Sequence, residues 1–282
     1  MFKSVLNYFQ KSFERKKARR VVQEYEPRID RFRLKDGEIE FANWKNPLVE
    51  QIVITQGMVD FFGKFIQPGD LVVDIGANIG DTTVPMALAA GKSGTTLGFD
   101  PNPFVFKILK INAKLNETKH NIVPLPYAIS VNEEEFYYVS EEASFGNGAI
   151  SPTKEAGRFK FTYPEKIKGI NLKKFLEENY PAQIDKLSFI KIDTEGYDKE
   201  IIKSIPDLIE KYKPVIVAES YGKSSAEDKT DLFNCISKLG YDLFYFKDFD
   251  VNTSSAEIRD STDLISYKKT INFCAMPKGR KF

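Results

Sequence analysis

Residues 71–83 read Leu71-Val72-Val73-Asp74-Ile75-Gly76-Ala77-Asn78-Ile79-Gly80-Asp81-Thr82-Thr83. An apolar, β-branched run ends at an acid, and two glycines follow four residues apart before a segment with a helical pattern. This pattern predicts a strand, a tight turn and a helix start, which is the part of an α/β sheet that holds a nucleotide-like ligand. We expect Gly76 and Gly80 to allow a sharp turn and a close approach to that ligand. Thr82 and Thr83, with Asp81, are candidates to cap the helix.

The position of the acid indicates which ligand to expect. Asp74 closes the strand just before Gly76, and the motif is Gly-x-x-x-Gly rather than Gly-x-Gly-x-x-Gly. A pyrophosphate bound at a helix N-terminus needs surroundings free of negative charge, so an acid here would repel it. A ligand that carries an ammonium and a sulfonium, such as S-adenosylmethionine, suits this acid. The alternative is a strand–turn–helix unit with no ligand.

A second acid follows the next predicted strand. Asp100 ends Leu97-Gly98-Phe99-Asp100, 20 residues beyond Gly80. A carboxylate at that point can accept hydrogen bonds from both ribose hydroxyls of an adenosine. This signal does not separate nicotinamide cofactors from S-adenosylmethionine, and the residue could also only cap the turn before Pro101.

Two further carboxylates are the candidate catalytic groups. Asp193 and Glu195 lie at the carboxyl end of the predicted fourth strand, which neighbours the first strand in a doubly wound sheet. They could deprotonate a hydroxyl, orient it, or hold a divalent cation, although no spacing in the sequence demands a metal. The alternative is a helix N-terminus decorated with acids. Lys191 is expected to pair with Asp193, and Glu219 is a weaker candidate for the same cluster.

Composition excludes several classes of function. The 282-residue chain has a net charge of +1, which gives no argument for nucleic acid as a partner. The single histidine, His120, excludes a zinc site built on imidazoles, and its polar neighbours predict a solvated loop. Cys235 and Cys274 are expected to be buried free thiols. Neither a membrane-spanning run nor a secretory pattern is present, so the sequence predicts a cytoplasmic protein.

The chain is expected to consist of an N-terminal extension, residues 1–66, and a main domain, residues 67–282. Apolar residues recur at helical spacing within residues 1–25, and basic residues crowd the second half. This segment could touch an anionic membrane, form an oligomer contact, or pack on its own domain. A hairpin is predicted around Asp36-Gly37. Residues 129–186 interrupt the strand–helix rhythm and are the candidate insertion on the substrate side, or only a decorative hairpin.

From residue 70 onward, apolar strands alternate with helical segments, which predicts a mostly parallel α/β sheet. The candidate strands are 71–75, 96–99, 122–128, 187–192, 215–219, 241–246 and 270–275. The candidate helices are 82–90, 104–115, 199–211 and 229–239. Residues 248–266 have no apolar periodicity, so no helix separates the last two strands. We therefore expect a seven-stranded sheet with its last strand antiparallel.

Together these motifs resemble the FkbM family of S-adenosylmethionine-dependent methyltransferases. The resemblance runs from about residue 67 to 219 and is carried by the glycine motif, by Phe99-Asp100-Pro101-Asn102-Pro103, by Asn112 and Asn116, and by Lys191-Ile192-Asp193-Thr194-Glu195-Gly196. It implies a Rossmann-like class I methyltransferase fold. It also implies O-methylation, mostly of sugar or polyketide-like hydroxyls.

The resemblance also implies roles for particular residues. The methionine end of the cofactor would lie against Asp74, Gly76, Asn78 and Gly80, the ribose against Asp100 and the adenine near Ala128. The loop containing Asp193 and Glu195 would face the transferred methyl group. Many relatives carry Glu where Asp100 stands, and the shorter side chain would leave one ribose hydroxyl to water.

Two other functions remain open from the sequence. A nicotinamide-dependent oxidoreductase would need the missing middle glycine and a proton donor at the hydride site, neither of which the sequence supplies. A methyltransferase-like scaffold without activity is the other alternative. The intact acids and glycines argue against decay of the site.

Overall fold

A computed structural model describes residues 2–155, 157–194, 196–280 and 282, with side chains from residue 9 onward. The strands are β1 (Pro27–Leu34), β2 (Gly37–Trp44), β3 (Leu71–Ile75), β4 (Thr95–Phe99), β5 (Ile122–Leu125), β6 (Ala128–Ile129), β7 (Glu134–Ser140), β8 (Ala149–Ser151), β9 (Phe161–Ile170), β10 (Leu187–Ile192), β11 (Val215–Ser220), β12 (Tyr241–Phe246), β13 (Ser255–Ile258) and β14 (Ile271–Pro277). The helices are α1 (Phe2–Ala18), α2 (Gln56–Phe62), α3 (Thr83–Ala90), α4 (Pro103–Lys114), α5 (Leu172–Asn179), α6 (Asp198–Ser204), α7 (Pro206–Tyr212), α8 (Ala226–Lys238) and α9 (Ser261–Ser266), with a 3₁₀ turn at Ile184–Lys186.

The main sheet has eight strands in the order β5-β4-β3-β10-β11-β14-β12-β13. The first five are mutually parallel, and β14 runs antiparallel to both β11 and β12. The antiparallel last strand therefore agrees with the prediction, whereas the predicted count of seven is wrong. The eighth strand, β13, pairs antiparallel with β12 at the sheet edge. It lies within residues 248–266, where a four-residue strand and a six-residue helix are too short to show a period.

Two predicted elements have different bounds in the structure. The predicted strand 122–128 ends at Leu125, and its last residue belongs to β6 in a different sheet. The predicted helix 199–211 is two helices, α6 and α7. Ile205, just before Pro206, leaves the helical region with φ −129° and ψ 35°.

The segment that interrupts the alternation of strands and helices, predicted at residues 129–186, contributes a second sheet in the order β6-β9-β7-β8. Its strand β6 pairs parallel with the end of β9 through Ala128 and Ile129, so the insertion starts and closes next to the main sheet. This arrangement places the loop between β7 and β8 above the carboxyl ends of the central strands.

Asn112 of α4 and Asn116, two residues beyond the helix, attach the N-terminal hairpin to the main domain. The buried Asn112 side chain accepts from the Ala42 N–H at 2.7 Å and donates to the carbonyls of Ala42 and Ile79 at 3.1 and 2.7 Å. Asn116 repeats this pairing two residues along β2, where it accepts from the Glu40 N–H and donates to the Glu40 carbonyl, both at 2.8 Å. The two side chains thus extend β2 as a neighbouring strand would. The hairpin itself turns at Gly37, as predicted, with φ +98°.

Two predictions about single residues are wrong. His120 is buried rather than solvated, and its burial lowers the pKa of the imidazole to about 4. The polar neighbours in sequence do not reveal that the chain folds this ring inward. Cys274 is a buried thiol as expected, but Cys235 is only partly buried. No helix in the described part of the chain is long and apolar enough to cross a membrane.

Candidate active site

A pocket opens at the carboxyl ends of β3, β4 and β10, beneath the β7–β8 loop of the insertion. Of the sequence-predicted site residues, five line it: Gly76, Asn78, Asp100, Ala128 and Asp193. Asp74 and Gly80 belong to the same loop and strand but are not among the lining residues, and Glu195 lies outside the described residues.

The two motif glycines have different roles. Gly76 has φ +76°, and a Cβ added there would lie 1.9 Å from the carbonyl oxygen of Asp193. Only glycine lets the loops after β3 and β10 come this close. Gly80 has φ +99°, and its added Cβ would meet Leu109 of α4 at 3.2 Å. Gly80 therefore serves helix packing more directly than ligand approach.

Asp74 is buried beneath the glycine loop. Its Oδ2 accepts hydrogen bonds from the hydroxyls of Thr82 and Thr83 at 3.1 and 2.6 Å. The predicted capping role of these threonines is wrong, because Thr82 makes no side-chain cap and both hydroxyls turn to Asp74 instead. Asp74 thereby fastens the start of α3 to the end of β3.

Lys191 joins the acids of two strands. Its Nζ lies 3.2 Å from Asp74 Oδ1 and 3.3 Å from Asp193 Oδ2, so the predicted pair with Asp193 is confirmed and extends to Asp74. Burial lowers the pKa of this ammonium, but the carboxylates of Asp74, Asp193 and Asp81 more than offset burial and hold the pKa above its ordinary value. Lys191 therefore stays protonated, and it is surrounded by more negative than positive charge.

Asp81 is a pocket residue that sequence reasoning did not select as a binding group. It lines the cavity directly after Gly80. Burial raises the pKa of its carboxyl to about 6, although the charge of Lys191 counteracts this rise. Its place immediately after the glycine motif is the signal that could have identified it.

Asp100 ties the two loops that follow β3 and β4. Its Oδ2 accepts from the Asn78 N–H at 2.7 Å and its Oδ1 from the Asn102 N–H at 2.8 Å. Burial nevertheless raises the pKa of the carboxyl to about 7. The turn-capping role is therefore confirmed, and each oxygen keeps a second lone pair that can accept a further hydrogen bond. Asn78, at φ +48°, adopts the left-handed conformation that its N–H needs to reach Asp100.

Asn102 ties the insertion to the site. Its side-chain amide donates to the Phe145 carbonyl at 2.8 Å and to the Tyr138 hydroxyl at 3.1 Å. Phe145 also stacks on Phe104 of α4, with ring centroids 4.9 Å apart. Tyr138 and Phe145 are both buried, so Phe145 fills a small core, while Tyr138 also borders the pocket. The insertion edge facing the pocket is the segment 146–150.

The structure does not bring Glu219 into this pocket. Glu219 closes β11 and lines a separate cleft with Asp198, whose Oδ1 accepts from the Glu219 N–H at 3.1 Å. Asp198 Oδ2 in turn accepts from the Thr194 hydroxyl at 2.7 Å, so this acid shapes the loop after β10. Within the described ranges, no group of three or more His, Cys, Asp or Glu side chains is arranged to hold a metal ion.

Comparison with known proteins gives consistent results. The chain is 24% identical over 165 residues to the hexuronic acid methyltransferase AglP of Haloferax volcanii, a match that covers 58% of this chain and 62% of that relative. Similar solved structures include a methyltransferase FkbM from Methylobacillus flagellatus (14% identity, TM-score 0.45, 77% of this chain and 50% of that one). An S-adenosylmethionine-dependent O-methyltransferase from Thermotoga maritima is also similar (10% identity, TM-score 0.41, 90% and 79%). The model of the methyltransferase FkbM domain matches residues 74–243, more than half of the chain, and the protein therefore belongs to the FkbM family of methyltransferases.

Proposed function

We propose that this protein transfers a methyl group from S-adenosylmethionine to a hydroxyl oxygen of a sugar, glycan or related metabolite. The observation that carries the proposal is the charge of the pocket. Three carboxylates, Asp74, Asp81 and Asp193, surround the single ammonium of Lys191.

This charge distribution supports the choice of cofactor. A cofactor with an ammonium and a sulfonium gains from an excess of carboxylates, whereas a dinucleotide would bring its pyrophosphate against them. The same charges therefore disfavour the nicotinamide-dependent alternative. Asp100 supports the choice of S-adenosylmethionine at the ribose end of the cofactor. Its remaining lone pairs can accept from ribose hydroxyls, while the hydrogen bonds from the N–H groups of Asn78 and Asn102 hold the carboxylate in place.

The chain's own residues would do little covalent chemistry. When bound, S-adenosylmethionine supplies an electrophilic methyl group on a positively charged sulfur. Asp193 is the candidate base that accepts the proton the acceptor hydroxyl loses. Its side chain is 40% exposed, so an acceptor can reach it, and Lys191 at 3.3 Å fixes its orientation. Glu195 remains the second candidate, on the basis of its sequence position alone. Alignment of the acceptor and exclusion of water by segment 146–150 would supply most of the acceleration.

A groove beside the pocket suits a sugar acceptor. Asn147, Gly148 and Ala149 line both the pocket and this groove, whose far side carries Arg158, Phe159, Tyr221 and two glutamates. Aromatic faces together with charged hydrogen-bonding groups are suited to sugar rings and hydroxyls. The relative named as a hexuronic acid methyltransferase points to the same acceptor class.

The test is a transfer assay with S-adenosylmethionine and a panel of glucuronosides, galacturonosides and their neutral hexose counterparts. Release of S-adenosylhomocysteine is followed, and the product is analysed by mass spectrometry and NMR. We expect a methyl ether on a ring hydroxyl, with the double variant Asp193→Asn, Glu195→Gln as the inactive control. A methyl ester on the uronate carboxylate would contradict O-methylation of a hydroxyl. Absence of transfer to every sugar in the panel would contradict the acceptor class.

A further inference from the structure

Helix α1 exposes apolar side chains to solvent. Phe13 is 69% exposed and Phe9 66%, and Val21 and Val22, just beyond the helix, are 47% and 55% exposed. Single exposed apolar residues are common on protein surfaces, but four within 14 residues form a patch that favours an interaction site.

The same segment concentrates positive charge. Residues 9–22 contain six basic residues and one acid, although the whole chain has a net charge of only +1. The basic residues are Lys11, Arg15, Lys16, Lys17, Arg19 and Arg20. Of these, Lys16, Lys17 and Arg20 are exposed and make no ion pair with any side chain in the described ranges.

The helix has an inward and an outward side. Ala18 is fully buried. On the adjoining side, Arg15 donates to the Pro47 carbonyl at 3.1 Å, and Arg19 pairs with Glu142 at 3.4 Å. At 3.6 residues per turn, Phe13 and Lys16 lie roughly opposite Ala18. Phe13 and Lys16 therefore lie on the side that points away from the domain, Lys17 lies on its flank, and Arg20, Val21 and Val22 follow the helix end.

We propose that this outward side of α1 binds the surface of an anionic lipid bilayer. Exposed phenylalanines can enter the boundary between headgroups and acyl chains, while the unpaired cations meet lipid phosphates. A groove lined by Lys11, Ser12, Arg15 and Arg19 adds hydrogen-bond donors for a phosphate beside this face. A second copy of the chain is disfavoured as the occupant, because a symmetric contact would bring the same unpaired cations together.

Membrane contact would also orient the active site. The Arg19 carbonyl accepts from the Ala143 N–H at 3.3 Å, and the same insertion segment continues to Asn147, which borders the pocket. The bound helix thus holds the insertion edge of the pocket close to the lipid surface. A preference for acceptors presented at a membrane would follow from this placement, and that step rests on the proposed function. Lipid binding itself does not rest on it.

The experiment is vesicle co-sedimentation of the full chain, without cofactor. One vesicle population is phosphatidylcholine alone, and the other contains about one third phosphatidylserine. We expect pelleting with the anionic vesicles only, weakened at about 1 M salt because charges are screened. The quadruple variant Phe13→Ser, Lys16→Ala, Lys17→Ala, Arg20→Ala should lower the partition coefficient by at least about 100-fold, because each basic residue contributes about fivefold.

A matched control removes one exposed apolar residue and three exposed lysines elsewhere. The variant Val53→Ser, Lys186→Ala, Lys238→Ala, Lys247→Ala should pellet like the unaltered chain. Circular dichroism verifies that both variants are folded, and S-adenosylhomocysteine titration reports the catalytic site separately. Equal pelleting with neutral and anionic vesicles, or undiminished binding by the α1 variant, would overturn the proposal. The proposal would also be overturned if the chain does not bind lipid but forms a dimer that Phe13→Ser dissociates. Binding to nucleic acid without binding to vesicles would overturn it as well.

Discussion

The Nζ atom of Lys191 lies 3.2 Å from Oδ1 of Asp74, and the two side chains are 4% and 0% exposed. This buried pair connects β10 to β3 across the point where the strand order reverses. Because Asp74 also accepts from both threonines at the start of α3, one carboxylate sets the relative positions of a strand, a helix and the lysine that orients Asp193. The geometry of the candidate active site therefore depends on a contact hidden beneath it.

Loss of this lysine should destabilise the fold. Lys191→Met keeps the apolar stem but leaves Asp74 buried and without its cation, which typically costs about 3–5 kcal/mol. Urea unfolding measures the change. Lys166→Met, which removes the exposed partner of Glu135, is the control and should leave the midpoint nearly unchanged. Equal midpoints for the two variants would show that the buried pair does not hold the site together.

Gly76→Ala should abolish cofactor binding. The added methyl would lie 1.9 Å from the Asp193 carbonyl oxygen, so the loops after β3 and β10 must separate. Gly240→Ala is the matched control, because Gly240 also has a positive φ, +82°, but has no atom within 4 Å of its added Cβ. Calorimetric titration with S-adenosylhomocysteine compares the two. If both variants bind S-adenosylhomocysteine with the same affinity, the positive φ and not the close contact with Asp193 would explain why glycine occupies position 76.

Removal of the candidate bases should slow turnover without releasing the cofactor. Loss of a general base typically costs about 10²–10⁴ in rate, so we expect this range for Asp193→Asn or for Glu195→Gln, whichever residue accepts the proton. The affinity for S-adenosylhomocysteine should change little, since neither substitution alters the volume of the side chain appreciably. Full activity in both variants would contradict a base at the end of β10.

Cofactor affinity should rise with pH between about 6 and 8. Burial raises the pKa of Asp100 to about 7, so below that pH the carboxyl is protonated and loses acceptor capacity for ribose hydroxyls. We expect roughly tenfold tighter S-adenosylhomocysteine binding at the upper end of this range. Asp100→Asn should bind more weakly and without this dependence.

A second buried acid serves as the comparison for this titration. Asp81 has a pKa raised to about 6 by burial, so Asp81→Asn should flatten only the lower part of the pH profile. A profile in the Asp100→Asn variant identical to that of the unaltered chain would exclude Asp100 as the titrating group.

Much of the fold follows from local patterns. The central strands are rich in apolar residues without strict alternation, because strands buried on both faces need no polar side, and every residue of β3 and β4 is indeed buried. The antiparallel last strand is confirmed, but the premise that no helix precedes it is wrong, because α9 lies between β12 and β14. One error of prediction occurs where a single residue overrides a pattern, because Pro206 divides the predicted helix 199–211 into α6 and α7. The short elements β13 and α9 were not predicted, because an apolar period cannot be recognised over so few residues.

The site was only partly predictable. Gly76, Asn78, Asp100, Ala128 and Asp193 line one pocket, because motif residues at strand ends meet at one edge of the sheet. The roles of Thr82 and Thr83 were wrong, since local sequence favours a cap and cannot reveal a buried carboxylate eight residues earlier as a competing acceptor. The burial of His120 and the charge cluster around Lys191 depend on tertiary packing, which spacing does not encode.

The central claim is that the pocket is built for a positively charged sulfur nucleoside and not for a dinucleotide. Calorimetric titration of the full chain with S-adenosylmethionine, and in parallel with NADH, tests it most directly. We predict saturable binding of S-adenosylmethionine, weakened by Asp100→Ala, and no measurable binding of NADH. Binding of NADH in preference, or no heat with either ligand, would contradict the account.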